Sequence, residues 1–266
     1  MMRRVLVAAA LAITSSLVAA ACSGSPEAAP ATGAATPAAA HPSPPAPDRG
    51  TAASSGFTVA GDNPVLPNGS QDSYAQAAGA SCDSATFAAD QRLGNEIAAG
   101  FSVGGLPASA DLLRHFLAGR GTAVSYPAGS RISRLAAASA AFTAVNQRVQ
   151  AAVTRQLRAG RSQVQLTAAQ LPAVPFDSAG GDLYWGFRGT QGLTVTGAGH
   201  RADGNYTGSL SYVIRDSYGF PAGDTLGGFG APMRYLQTAC GAPQHPGGAH
   251  WFPDAITVTV PFRAAG

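Results

Sequence analysis

Apolar and hydroxyl-bearing positions alternate through much of the C-terminal half of this chain. From Gly181 to Arg215, Leu183, Trp185 and Phe187 alternate with Tyr184, Gly186 and Arg188; after Gly189–Gly192, Leu193 and Val195 alternate with Thr194 and Thr196. Tyr206, Leu210, Tyr212 and Ile214 then stand opposite Thr207, Ser209, Ser211 and Arg215. Period two puts the apolar groups on one face of a sheet and predicts strands throughout this stretch. Asp203-Gly204 is hairpin-turn chemistry, because glycine accepts positive φ without strain. Ile256, Val258, Val260 and Phe262 repeat the alternation from Ala255 to Phe262, and Pro261 marks an edge because it has no N–H to donate.

The preceding region changes period. Phe87, Leu93, Ile97 and Phe101 recur at helical spacing over Ser84–Phe101, with Asp83 or Ser84 as cap. Ala108–Leu117 carries the stripe Leu112, Leu113, Phe116 and Leu117, with Ser109 as its predicted cap and Gly119 as its stop. Ser133–Ala159 is the longest predicted helix: Leu135, Phe142, Val145, Val149, Val153 and Leu157 form its stripe, and Gly160 ends it. Phe57–Gly69, punctuated by Gly, Asn and Pro, is expected to be a loop with at most a short strand. Ala173–Phe176 leads into the strand unit. Asp216–Asp254 reads as a Gly/Pro-rich connection with aromatics, in which Met233–Thr238 is a short helix or strand. The pattern gives an α+β domain over residues 56–266: N-terminal helices packed on a mainly antiparallel C-terminal sheet or partly closed barrel.

The first 21 residues have the parts of an export signal: Arg3 and Arg4, an apolar stretch from Val5 through Val18, then Ala19-Ala20-Ala21. Cys22 follows directly, and this arrangement resembles the lipobox of bacterial lipoproteins, with Ala19 standing where that motif most often has Leu. The resemblance implies diacylglycerol on the Cys22 sulfur, cleavage before Cys22, and a lipid-anchored protein on the outer face of the cell membrane. Residues 22–55 are rich in Ala, Pro, Gly, Ser and Thr and, past Cys22, hold no large apolar side chain, so this segment is expected to be a disordered tether. With Cys22 assigned to lipid, Cys82 and Cys240 remain as one pair in an oxidising compartment, which suggests a disulfide; two free buried thiols are the alternative.

Charge alters the picture little. All 17 basic residues are Arg, against 14 acids, for a net charge of +3. Removing Arg3 and Arg4 with the leader leaves 15 Arg against the same 14 acids, so no nucleic-acid partner is expected. The distribution is less even: Leu112–Phe176 holds eight Arg and no acid, either a solvated helix face or a field for anionic headgroups or wall polymer.

Candidate chemistry falls in the C-terminal half. His200, His245 and His250, with Asp216, Asp224 and Asp254, are the residue types for acid–base or metal work should they converge. Asp216 with His200 or His250 is the candidate catalytic set. No metal-binding spacing and no cofactor motif occurs: there is no G-x-S-x-G elbow, and Gly227-Gly228-Phe229-Gly230 lacks the setting of a phosphate loop. Arg215-Asp216-Ser217-Tyr218-Gly219 resembles the Asp-x-Tyr-Asp region of colicin M-type toxins, which implies cleavage of a lipid-linked peptidoglycan precursor. Asp216 and Tyr218 carry the match; Gly219 replaces the second Asp, and no His-Arg pair follows. Ten aromatic residues of the sheet and the following loop (Tyr184, Trp185, Tyr206, Tyr212, Tyr218, Phe220, Phe229, Tyr235, Trp251 and Phe252) suit stacking on sugars or gripping a protein partner, though the alternation puts half of them in the core. The expected function is non-catalytic binding or an architectural role at the envelope, through an envelope ligand or protein not identified by the sequence. The alternatives are a wall-directed hydrolase using Asp216 and an anionic-lipid-binding factor.

Overall fold

The computed structural model describes residues 55–64, 81–176, 181–221, 228–241 and 245–266, all within the compact unit Arg49–Gly266. The leader, Cys22, the tether up to Ser54, and Asp224 lie outside the described residues.

Six strands form one open sheet: β1 (Ser55–Asn63), β2 (Val124–Tyr126), β3 (Gln163–Leu166), β4 (Gly192–Ala202), β5 (Asn205–Tyr218) and β6 (Phe252–Ala265). Their order is β2-β6-β5-β4-β1-β3. The central pairings β6–β5, β5–β4 and β4–β1 are antiparallel, while β2 and β3 add parallel at the two edges. The sheet is mainly antiparallel and does not close into a barrel. Nor is it purely C-terminal. Phe57–Gly69, expected to be mostly loop, contributes a nine-residue strand between β4 and β3, because Phe57 and Val59 alternate into the core.

Asp203 (φ 50°) and Gly204 (φ 76°) turn β4 into β5 between the paired residues Ala202 and Asn205. Both central φ values are positive, as a two-residue hairpin requires. β6 keeps one edge free at Pro261, since β2 covers only Asp254–Ile256. Gly199 on β4 leaves room for an aromatic ring: a Cβ there would come within 2.5 Å of Phe57 Cζ. Phe57 in turn meets Tyr206 and Phe262 edge to face.

Helices cover one sheet face. They are α1 (Ser84–Val103), α2 (Pro107–Leu117), α3 (Arg131–Ala138), α4 (Ala140–Arg158), α5 (Asp182–Phe187) and α6 (Gly230–Thr238). α4 lays Phe142, Val145, Val149, Val153 and Leu157 on the sheet, all buried, each worth about 1.5–3 kcal/mol by removal from water. Phe142 packs edge-on against Tyr212, whose hydroxyl donates to Asn146. The opposite sheet face carries Thr194, Thr196, Ser209, Ser211, Thr257 and Thr259, none of them buried.

Three expectations are corrected. The predicted Ser133–Ala159 helix is two helices, because Ser139 adopts ψ 146° and caps α4 through the Phe142 N–H. The break leaves Leu135 exposed, while Ile132 and Ala136 face the core instead. Leu183, Trp185 and Phe187 lie on a short helix, not a strand. A run this short fits either period, and Asp182 decides it by reaching α2. That contact is also why Ser109 is no cap: it is the third residue of α2, and its N–H and hydroxyl both donate to Asp182, at 2.9 and 3.0 Å. Arg131 pairs with the other Asp182 oxygen. A buried carboxylate from α5 thus satisfies the start of α2.

Cys82 and Cys240 are joined by a disulfide that ties the start of α1 to the end of α6. No helix among the described residues is long and apolar enough to cross a membrane.

Candidate functional site

The core face of β5 reads Leu210, Tyr212, Ile214, Asp216, Tyr218, and that of β6 reads Phe252, Asp254, Ile256, Val258. One carboxyl interrupts each apolar row. The register sets Asp216 directly opposite Asp254, where Cβ atoms of facing residues stand about 4.5–5.5 Å apart. Asp216 is 7% and Asp254 3% exposed.

Their surroundings differ from those of Asp182. Asp182 has an arginine and two Ser109 donors. Asp216 has backbone N–H groups only, from Ser217 at 2.8 Å and from Gly189. Among the described residues, neither Asp254 oxygen has a hydrogen-bond partner. Burial pushes Asp216 up to about 7, against the pull of those two N–H groups. Burial, then the Asp216 charge, pushes Asp254 well above the carboxylate range. Burial favours the neutral form of Asp254, and the register sets the Asp216 carboxyl at the facing position. The Tyr126 hydroxyl is also raised, by burial first and then by the Asp254 charge.

Asp216 opens onto a cleft of about 270 Å³. Its walls are an aromatic relay. Phe101 and Trp185 lie 5.5 Å apart, Trp185 and Phe229 6.0 Å, and Phe229 and Phe220 6.2 Å. Tyr184 packs on Trp185, and the Arg188 guanidinium sits 5.6 Å from the Tyr184 ring at the same mouth. Gln191 accepts from the Ser217 hydroxyl beside Asp216. α5 places Tyr184 and Trp185, the end of β5 places Asp216 and Tyr218, and α6 begins just after Phe229. The cleft can stack a flat or sugar-like ligand and meet it with a proton donor at its floor. A second hollow of about 340 Å³ is bordered by Arg215, Ser217 and Ala255, which point the other way, and again by Asp216 and Asp254. There Arg215 pairs with Asp62 at 2.8 Å. The Thr194 hydroxyl and then Arg215 hold Asp62 below its ordinary value.

Of the candidates named from sequence, Asp216 and Asp254 come together and the histidines do not join them. His200 lies exposed on β4 against the Thr207 hydroxyl. It is nine strand residues from the Asp216 end, roughly 30 Å at about 3.3 Å per residue. His250 stacks on Trp251 and bonds its carbonyl oxygen. His245 sits tilted against Phe87 with ring centroids 4.7 Å apart, and its buried Nδ1 has no partner among the described residues. Asp216 therefore has no histidine partner for the expected catalytic set; a second carboxyl stands there. No group of three or more metal-ligating side chains occurs among the described residues. Sequence reading started the last strand at Ala255, after Pro253. Two more residues of the same alternation would have put Asp254 on the core face, mirroring Asp216 two residues beyond Ile214. Asp216 and Tyr218, the matching residues of the Asp-x-Tyr resemblance, both line the cleft.

Compared with known proteins, the chain matches no family model, and neither a curated protein nor a solved structure shows significant similarity to it.

Proposed function

We propose that the protein is an exported, lipid-anchored envelope protein whose cleft binds a sugar-bearing envelope ligand. Export rests on the leader pattern and the Cys22 context. The Cys82–Cys240 disulfide suits an oxidising compartment. The observation that carries the binding reading is the convergence of Phe101, Tyr184, Trp185 and Phe229 on a carboxyl floor at Asp216. Rings supply stacking faces for a sugar, and a protonated carboxyl supplies a hydrogen-bond donor to its oxygens.

The facing carboxyls favour a second reading, acid–base hydrolysis of the bound glycan. Asp216, protonated near neutrality, gives its proton to the leaving oxygen of a glycosidic bond. Water adds to the other fragment and returns a proton to Asp216, so the enzyme is regenerated. Both readings are tested by titrating Trp fluorescence with soluble peptidoglycan fragments while following cleavage by mass spectrometry. Trp185→Ala should weaken binding by about tenfold or more, as loss of a stacking aromatic does. Under the hydrolase reading, Asp216→Asn should keep binding and lose cleavage. Equal affinity of wild type and Trp185→Ala for every fragment would remove the cleft as the site.

A further inference from the structure

A different surface occupies the far end of the same sheet. Arg201 on β4 pairs across to the core-facing Tyr206, and Arg263 on β6 pairs across to Thr207 on the open face, so the two flank β5 from opposite faces at the end of the sheet beside the Asp203–Gly204 turn. Arg158, at the end of α4, reaches the same place: its Nε donates to the Ala265 carbonyl at 3.0 Å, and the Tyr206 hydroxyl donates to the neighbouring Leu157 carbonyl. Arg161 follows α4 and precedes Ser162, whose carbonyl accepts the Thr58 N–H of β1. All four arginines are exposed, and none takes part in an ion pair among the described residues. Arg201 rests over the Tyr206 ring at 5.4 Å, which holds its guanidinium at the tip. His200 adds an imidazole on the open face, and among the described residues Asp203 at the turn brings an acid to this end.

The chain arrives here too. Ser55, the first residue of β1, is paired with Arg201. The described fold therefore begins at the arginine end. Between Cys22 and Ser55 lie 32 residues. The Asp216 cleft lies at the opposite ends of β4 and β5, roughly 30 Å away at about 3.3 Å per residue.

We propose that Arg158, Arg161, Arg201 and Arg263 form a docking surface for the anionic phospholipid headgroups of the membrane, seating the domain with its cleft directed away from the bilayer. The proposal rests on the envelope location proposed above but is independent of what the cleft binds. Charge complementarity and the entry point of the chain select the membrane as occupant. The corresponding refinement of the Arg-rich field seen in the sequence is positional: its active part is the sheet tip, completed by Arg201 and Arg263 from outside residues 112–176.

The test uses the full chain carrying Cys22→Ser, so that no acyl chain contributes, and vesicles of phosphatidylcholine with and without phosphatidylglycerol. Binding to the anionic vesicles should exceed binding to the neutral ones and fade with salt. Arg201→Gln/Arg263→Gln should weaken it about 25-fold, at about fivefold per arginine near an anionic surface. Arg92→Gln/Arg148→Gln, equal in charge but away from the tip, should leave it unchanged. The apolar leader contributes equally to every variant and cancels. Both tip arginines are exposed, so the fold survives their replacement, which circular dichroism checks. Equal loss from the two double variants, or no preference for anionic lipid, would overturn the proposal. So would tip-dependent binding to soluble polyphosphate without vesicle binding, which would reassign the surface to a phosphate-rich polymer. Vesicle binding and cleft titration are separate readouts, so either can fail alone.

Discussion

At the hairpin end of the sheet the buried positions obey the ordinary rules of a core, whereas at the Asp216 end they break them. Near the hairpin, Phe57, Tyr206 and Phe262 interlock, the Tyr206 hydroxyl has its acceptor, and the charges stay in water. At the other end, two carboxyls replace core side chains on adjacent strands, and one has no hydrogen-bond partner among the described residues. Such burial costs stability. The same chain buries a third carboxyl, Asp182, and satisfies it fully, so the fold is able to solve this problem and does not do so at Asp254. Strongly perturbed carboxyls beside a cleft are the pattern that acid–base sites show, which is the ground for the site proposed above. The disulfide ties the end of α6, which follows the Phe229 wall, to the start of α1.

The largest effect that would sharpen this contrast comes from Cys82→Ala/Cys240→Ala. Opening a loop of 158 residues should lower stability by about 2–5 kcal/mol. In hydrogen exchange, α6 amides should lose protection first, with the β4–β5 hairpin holding to the global limit. Simultaneous loss at both ends would break the contrast.

A smaller effect of opposite sign is expected from Asp254→Asn. Relative to an unfolded Asp near 3.8, a folded value raised to about 7 at Asp216 favours folding fully below pH 4 or so. That contribution is lost as pH rises through about 7, at up to about 1.4 kcal/mol per unit. Asp254 is raised for the same leading reason and acts in the same direction. Asp254→Asn removes one titration, so it should raise stability at pH 8 relative to wild type and flatten the decline between pH 4 and 8. Denaturant melts across that range measure it; a variant less stable than wild type at pH 8 would mean the carboxyl is structural.

How much of this was legible in the sequence depended on whether local pattern or distant contact decides each element. The Asp203-Gly204 turn, the α4 stripe and the stops at Gly119 and Gly160 are local chemistry, and all were readable. α5 was not, because Leu183–Phe187 satisfies two periods and Asp182's partners lie on α2 and α3. β1 was hidden by Gly61 and Pro64, since its strand character comes from neighbours over 100 residues away. The site was half visible. Asp216 and Asp254 were named as chemistry-bearing groups, yet only the β5–β6 register shows that they face each other and that His200 stands at the wrong end.

Titration of the aspartate carboxyls by ¹³C NMR tests the central claim most directly. With the facing pair assigned through Asp216→Asn and Asp254→Asn, the expected result is at least one of the two carboxyls titrating well above the ordinary carboxylate range, near 7 for Asp216. Two carboxyls both ionised by pH 5, with shifts like those of surface aspartates, would contradict it.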